Sequence, residues 1–280
     1  MLNGTAIAPW VYRPLATLTI ICQSRLMPFS MSWPNQFVLF RLGIQILGML
    51  SLYYLYRKMA LSHRASLFGL AIFTVSCTQA WRNSDLSFST YIEVALLALA
   101  VLVLLSHDRI GIAVVTLLLV GLALLAGLNR ETWAVFWLMF LWSRWEDLSG
   151  KYRAVGIAAF GIAAATQLVL RFVVFPNAVP EEYPQACGIW GFMPFNLTHA
   201  PTMLALLGTF HVMLVSWLWF YSRADRRMAA ATLMAVVAML YCIYAQETRV
   251  ILPLLGVGMV PATARLLDSA CHYGRRNATV

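Results

Sequence analysis

The sequence predicts an all-α fold, a polytopic transmembrane bundle of about nine crossings preceded by an N-terminal interfacial helix. Composition is the first observation behind this prediction, because 61% of the 280 residues are hydrophobic and only 11% are charged. Soluble domains carry about 25% charged residues. The second observation is a series of apolar runs, several of which approach the roughly 20 residues that a helix needs to cross a bilayer. The third is that the basic residues lie mainly in short connections between these runs.

Residues 1–36 form a lead-in that we predict to lie on the extracytoplasmic side of a membrane. Its apolar run Leu15–Cys22 is too short to cross, and Arg13 and Arg25 flank it. Such a segment is typical of a helix that lies in the membrane interface. The first 12 residues lack the basic and apolar regions of a cleavable signal peptide, so none is expected.

Residues 37–268 contain the nine predicted crossings, and residues 269–280 are predicted to form a cytoplasmic tail. In chain order the crossings are Phe37–Tyr56, Ala65–Trp81, Phe88–Leu105, Ile110–Leu128, Trp133–Trp142, Ala154–Phe175, Thr202–Tyr221, Ala229–Ala245 and Val250–Leu267. The fifth is thin and needs its flanking residues to span.

The charges in the connections predict the orientation. The connection after each odd-numbered crossing is basic, as in the segments 57–64, 144–153 and 223–227, whereas the even-numbered crossings are followed by segments without a positive excess. Basic loops stay in the cytoplasm. We therefore expect a multi-pass membrane protein with a cytoplasmic C-terminus. The net charge of +9 follows from this topology, and no basic stripe or motif indicates nucleic-acid binding.

Polar residues that lie far apart in the sequence collect on the predicted outer face. Prominent among them is the turn Gly127–Trp133, which places Arg130 beside Glu131 between two apolar runs. Ionisable residues at membrane depth are costly and usually functional or paired. Neighbouring residues of a helix point about 100° apart, so these two side chains are expected to meet different partners. Asn129 would end the preceding helix.

Two readings of this turn remain open. In one, the N-terminus of the helix that follows, with Thr132 as its N-cap, favours an anion in a pocket. In the other, the charges form a structural salt-bridge node that ties helix ends together. Glu93, two turns inside the third crossing, is expected to be protonated, functional or paired with a residue such as Arg41.

Two further polar segments share the predicted outer face. Glu247 and Arg249 stand just before the ninth crossing, where Arg249 would be placed to bind a phosphate. Arg82 and Asp85 stand at the start of the third, where Asp85 would otherwise satisfy free helix amides. No spacing of cysteine or histidine matches a metal site.

Three short segments carry a resemblance to a known family. They are Tyr-Arg-Pro-Leu at Tyr12–Leu15, Leu-Asn-Arg-Glu-Thr at Leu128–Thr132, and Glu-Thr-Arg-Val-Ile-Leu-Pro at Glu247–Pro253. They resemble signatures of bacterial polytopic membrane proteins related to the GT-C glycosyltransferases, and they are spread over nearly the whole chain. The resemblance implies an enzyme of envelope polysaccharide biosynthesis that uses a polyprenyl-phosphate-linked sugar at the outer membrane face. A divalent cation is used by some members only.

The resemblance also implies roles for individual residues. An acidic residue deprotonates the acceptor hydroxyl, with Asp85 and Glu131 as catalytic candidates. Arg249 would hold the lipid phosphate. The other substrate-binding candidates are Arg13, Arg82, Asn129, Arg130 and Glu247.

The chain departs from the family pattern before Tyr12. Family members usually have a first transmembrane helix there, followed by an acidic outer loop that often supplies the catalytic carboxylate, and this sequence has neither. We expect either a truncated start or a degenerate, non-catalytic relative. The alternatives to a transferase are a transporter or flippase of lipid-linked intermediates and a non-catalytic subunit of an envelope polysaccharide assembly. The sequence does not indicate an oligomeric state.

Overall fold

The structure is a computed structural model that describes residues 14–26, 32–83, 88–177, 188–200, 223–242 and 248–277. Every regular element in these ranges is a helix, which confirms the all-α prediction. The longer helices are α1 (Pro14–Leu26), α2 (Trp33–Lys58), α3 (His63–Asn83), α4 (Phe88–Leu105), α5 (Ile112–Asn129), α6 (Thr132–Ser143) and α7 (Gly150–Val169).

The second half contains shorter and less regular elements. A π-helix, Leu170–Val174, continues α7. After it come a 3-10 turn (Gly188–Trp190), α8 (Met193–Thr198), α9 (Arg223–Cys242), a 3-10 turn (Thr248–Ile251), α10 (Leu252–Leu254), a π-helix (Leu255–Met259) and α11 (Val260–Asn277).

The chain divides into two compact units that interleave in sequence. Unit 1 consists of Met1–Ser51, Ser87–Leu138 and Glu146–Glu182, and unit 2 consists of Leu52–Leu86, Met139–Trp145 and Tyr183–Val280. The helices α4, α5 and α7 therefore belong to unit 1, and α3 and α11 belong to unit 2.

Helix α5 organises unit 1 by packing against α4 and α7. Its buried residues Val115, Leu119 and Ala123 recur every fourth position on one face, whereas Leu117 and Leu124 are exposed elsewhere on the helix. A helix with apolar residues on both its buried and its exposed sides suits a lipid environment.

Glycine allows α5 and α7 to approach closely. A Cβ atom on Gly127 would lie 2.7 Å from the Cβ of Thr166 and 2.9 Å from the carbonyl oxygen of Ala163. Small residues at such crossings are typical of membrane helices, where close backbone packing replaces the hydrophobic effect. This contact lies two residues before the end of α5 and therefore helps to position the α5–α6 turn.

Unit 2 packs α3 against α11. The Tyr56 hydroxyl donates a 2.7 Å hydrogen bond to the carbonyl oxygen of Gly256, which lies in the π-helix before α11. The Tyr56 ring also lies against Gly69 of α3, where an added Cβ would be 3.0 Å from a ring carbon. One buried tyrosine thus joins two parts of this unit.

Three of the described helical segments are long and apolar enough to cross a membrane: Val38–Lys58, Ile112–Asn129 and Gly150–Val174. They coincide with the first, fourth and sixth predicted crossings, which supports the membrane class of the protein. Two shorter apolar helices, Ser89–Leu105 and Thr132–Ser143, coincide with the third and fifth predicted crossings.

Within the described residues, the structure does not support the predicted nine crossings. Helix α6 has only 12 residues, which is too short for a bilayer about 30 Å thick. Helices α3 and α9 begin with charged turns, and the ninth run is divided among a 3-10 turn, two helices and a π-helix. The seventh predicted crossing, 202–221, lies outside the described residues. The predicted interfacial run Leu15–Cys22 lies within α1.

Candidate functional site

The α5–α6 turn, made of Arg130 and Glu131, is the centre of a polar cluster in unit 1. Helix α5 ends at Asn129, and Arg130 takes extended backbone angles of −157° and 145° while its amide still donates to the carbonyl oxygen of Ala126. Helix α6 begins at Thr132. Because the chain leaves the helical conformation at Arg130, the two charged side chains project in different directions.

Arg130 forms a buried ion pair with Glu93 of α4. Its Nη1 lies 3.4 Å from Glu93 Oε2, and the two side chains are 3% and 0% exposed. The same nitrogen donates a 3.0 Å hydrogen bond to the hydroxyl of Thr90, and the Thr132 hydroxyl donates to Glu93 Oε1 at 2.5 Å. Buried charges are tolerated when they are paired and hydrogen-bonded in this way.

Two amide side chains tie the end of α5 to its neighbours. Asn129, which is buried, donates from Nδ2 to the carbonyl oxygen of Ser89 at 2.8 Å. Gln167 of α7 donates from Nε2 to the carbonyl oxygen of Gly127 at 2.5 Å. The last carbonyls of a helix lack intrahelical partners, so the Gln167 bond satisfies a group that would otherwise be orphaned.

Glu131 pairs with a different arginine, and this pair is more exposed to solvent. Its Oε1 lies 3.8 Å from Nη2 of Arg171, and the side chains of Glu131 and Arg171 are 31% and 41% exposed. Arg171 belongs to the π-helix Leu170–Val174, and π-helical turns inside α-helices are frequent at functional sites. This pair is accessible, unlike the pair of Glu93 and Arg130.

The first turns of α6 place two indoles beside the charged cluster. The rings of Trp133 and Trp137 are stacked with centroids 5.4 Å apart and an interplanar angle of 9°. Trp137 donates from Nε1 to the carbonyl oxygen of Gly156 at 2.8 Å. Trp133 is fully buried, and within the described ranges its Nε1 has no hydrogen-bond partner. Both indoles belong to the buried core of unit 1.

The arrangement divides the polar residues by their possible chemistry. The Glu131 carboxylate is exposed enough to accept a proton from a bound hydroxyl, and the Arg171 guanidinium can bind a phosphate oxygen. Glu93 and Arg130 hold each other inside the unit. Among the residues that the structure describes, no group of three or more His, Cys, Asp or Glu side chains is placed to hold a metal ion.

Several sequence predictions about this turn are confirmed. Arg130 and Glu131 do meet different partners, and the salt-bridge node describes the Arg130 contacts. Glu93 is paired, as predicted, and Arg130 is its partner on the α5–α6 turn. Arg41, the partner suggested from the sequence, lies over the Tyr91 ring at 5.7 Å from the centroid.

The other predicted site residues are less fully described. Arg13, Asp85 and Glu247 lie outside the described residues. The backbone of Arg82 lies in α3 and that of Arg249 in the 3-10 turn Thr248–Ile251, and their side chains also lie outside the described part. These residues remain predictions.

Sequence reasoning missed Arg171. The signal was present, since Arg171 is an arginine inside the apolar run Ala154–Phe175, and ionisable residues within such runs indicate functional or paired positions.

Comparison with known proteins adds no relative. No family model, no curated protein and no solved structure matches the chain. The interpretation of the site therefore depends on its geometry and on the sequence segments that contribute to it.

Proposed function

We propose that the chain is a GT-C-like membrane glycosyltransferase that moves a sugar from a polyprenyl-phosphate donor to an acceptor at the extracytoplasmic face of the bacterial inner membrane. The observation that carries the proposal is the half-exposed pair of Glu131 and Arg171. It places a carboxylate and a guanidinium together at the end of helices α5 and α7, which are both long and apolar enough to span a bilayer.

Each residue of the pair has a role in this proposal. Glu131 accepts the proton of the acceptor hydroxyl while the oxygen of that hydroxyl forms a bond to the anomeric carbon of the donor sugar. The bond from that carbon to the phosphate oxygen breaks, and polyprenyl phosphate leaves. Arg171 binds the phosphate and stabilises the charge that develops on it. The 3.8 Å separation keeps the two groups close enough to serve one substrate.

The role of Arg130 changes from substrate binding to positioning. Its guanidinium is 3% exposed and is held by Glu93 and Thr90, so a direct contact with a lipid phosphate would require this network to open. In the proposal, Arg130 and Asn129 instead hold the α5–α6 turn so that Glu131 faces outwards.

The predicted topology supplies the remaining parts of the proposal. With the basic connections and the C-terminus in the cytoplasm, as their charge predicts, Arg13, Arg82, Asp85, Glu247 and Arg249 would share the outer face with Glu131. Asp85 is a second candidate base, and Arg249 is a second candidate ligand of the donor phosphate. A divalent cation would belong to this face if the reaction uses one.

Transfer from a labelled polyprenyl-phosphate sugar in isolated membranes tests the proposal. We expect Glu131→Gln to lower kcat by about 100-fold or more, because general base catalysis contributes roughly 10²–10⁴-fold. We expect Arg171→Gln to raise KM for the donor and to lower kcat as well, since the phosphate charge grows during the reaction.

Matched controls separate catalysis from damage to the fold. Glu146→Gln and Arg109→Gln make the same changes at exposed positions of unit 1, and both should leave transfer unchanged. Activity of Glu131→Gln and Arg171→Gln equal to that of these controls would remove both residues from the site.

A non-catalytic subunit of a polysaccharide assembly is the second candidate, favoured by the burial of Arg130 and Glu93. If so, the Glu131→Gln variant should sustain full transfer by a copurifying enzyme. Movement of the lipid-linked sugar across proteoliposomes, without formation of a new glycosidic bond, would instead favour a flippase.

A further inference from the structure

The segment 188–198 of unit 2, made of the 3-10 turn and α8, presents large apolar side chains at its surface. Ile189 is 81% exposed, Trp190 63% and Leu197 53%. The same segment contains no Asp, Glu, Lys or Arg. An exposed apolar patch of this kind marks a site of contact with a membrane or with another protein.

Hydrogen bonds hold this segment against the end of α9. The Phe192 amide donates to the carbonyl oxygen of Tyr241 at 2.9 Å, and the Tyr241 hydroxyl donates to the carbonyl oxygen of Ile189 at 2.6 Å. Gly191 has a φ of +56°, and an added Cβ would overlap with the carbonyl oxygen of Tyr241. Glycine is therefore required for this close approach, and the 3-10 turn is attached directly to α9.

Helix α9 determines the depth at which the segment meets a membrane. Buried Asn196 donates from Nδ2 to the carbonyl oxygen of Leu240 at 2.7 Å, so both attachments lie within the last three residues of α9, which ends at Cys242. The first five residues of this helix include three arginines and one aspartate, and charged side chains at a helix end reach the water interface. The 20 residues of α9 extend about 30 Å, close to the thickness of the hydrocarbon core. The segment is thus placed near the opposite interface, which the charge pattern predicts to be the extracytoplasmic one.

The exposed side of α9 leads directly to the segment. Large apolar side chains recur there at intervals of three or four residues and so share one face. They are Leu233, Met234, Val237 and Tyr241. Because Tyr241 ends this face and bonds the Ile189 carbonyl, Ile189 and Trp190 extend the apolar surface of α9 beyond the end of the helix. An apolar helix face of a membrane protein suits lipid.

We propose that the segment 188–198 is an interfacial membrane anchor whose Ile189 and Trp190 side chains insert among the upper acyl carbons beside the end of α9. Tryptophan suits this depth because its apolar ring carries an N–H donor. The non-helical backbone of the segment excludes the hydrocarbon core, where irregular chain exposed to lipid does not occur. Lipid is favoured over a protein partner because the patch continues the apolar face of α9 and lacks the polar rim of a protein interface. The anchor does not depend on the proposed transferase activity.

Photo-crosslinking of the full-length protein in phosphatidylcholine liposomes tests the anchor. The benzophenone amino acid p-benzoylphenylalanine replaces one residue at a time, at Ile189, at Trp190 and, as the control, at Asp108. The Asp108 side chain is 74% exposed in the connection between α4 and α5. On irradiation the benzophenone carbonyl takes a hydrogen atom from a nearby C–H group, and the two radicals join in a new C–C bond. We expect mass spectrometry to detect attachment to acyl chains at both positions of the segment and only background at Asp108.

A second measurement uses the wild-type protein and covers the case in which a variant does not fold. An apolar diazirine that partitions into the same liposomes is photolysed, and the labelled residues are located by mass spectrometry. Ile189 and Trp190 should be labelled as strongly as the exposed Val237 of α9, and Asp108 should not be labelled. Labelling of Ile189 and Trp190 as weak as that of Asp108 would overturn the proposal. Cross-links from these two positions to protein in place of lipid would also overturn it and would assign the patch to a protein partner.

Discussion

The buried pair of Glu93 and Arg130 predicts a large and strongly coupled loss of stability when either partner is replaced. Glu93→Gln keeps the shape of the side chain but leaves the Arg130 charge unpaired, and Arg130→Met does the reverse. The side chains are 0% and 3% exposed, so water cannot replace the lost partner. Breaking such a pair costs about 3–5 kcal/mol.

The double variant separates the ion pair from simple damage to packing. Glu93→Gln together with Arg130→Met removes both charges, and the hydroxyls of Thr90 and Thr132 remain to bind the new amide. The double variant should therefore be no less stable than the worse single variant. The coupling free energy between the two positions should be at least about 2 kcal/mol, within the range seen for contacting residues.

Unfolding in mixed micelles with increasing SDS, followed by tryptophan fluorescence, measures these differences. Trp133 and Trp137 are buried in α6, which begins at Thr132, the residue whose hydroxyl bonds Glu93, so their fluorescence should change when this part of unit 1 unfolds. Glu146→Gln, at an exposed glutamate, is the control and should change the free energy of unfolding by no more than about 0.5 kcal/mol. Single variants as stable as this control, or free energies that simply add, would refute the buried ion pair.

Two further substitutions in unit 1 test helix packing by the same titration. Gly127→Ala should destabilise the protein by about 1–3 kcal/mol, because the new Cβ would lie 2.7 Å from the Cβ of Thr166. The control Gly121→Ala adds a Cβ that meets nothing within 4 Å and should be neutral or slightly stabilising. Equal effects of the two substitutions would contradict the close approach of α5 to α7. Trp137→Phe should lower the free energy of unfolding by about 1–2 kcal/mol, because it removes the 2.8 Å hydrogen bond to the carbonyl oxygen of Gly156. If the variant unfolds at the same SDS fraction as the wild type, this bond contributes little to stability.

The helices near the site could be predicted closely from the sequence. The third predicted crossing has the same bounds as α4, and the fourth and fifth differ from α5 and α6 by one or two residues at each end. Polar residues and a glycine at the ends of these apolar runs mark where a helix stops. The number of crossings was predicted less well, because apolar composition alone does not show whether a run continues as one straight helix.

The contacts of the site could be predicted only in part. The sequence predicted that Arg130 and Glu131 diverge, from the angle between neighbouring residues of a helix, and the structure produces the divergence through the extended backbone of Arg130. The partners of these two side chains could not be predicted without the tertiary structure, because Glu93 lies on α4 and Arg171 on the π-helix after α7. Which side chains meet depends on the rotation and depth of each helix, and a lipid-facing helix that is apolar all round carries little periodic signal to specify them.

The sequence by itself determined the helical class, the membrane environment and the unusual character of the α5–α6 turn, since these follow from composition, run length and local charge. Only the tertiary structure decided that the arginine of this turn, Arg130, is buried in an ion pair while the neighbouring Glu131 faces the half-exposed Arg171. The physical reason is that burying a charge is favourable only when a partner from another helix compensates it, and the packing of α5 against α4 and α7 decides which partner comes within reach.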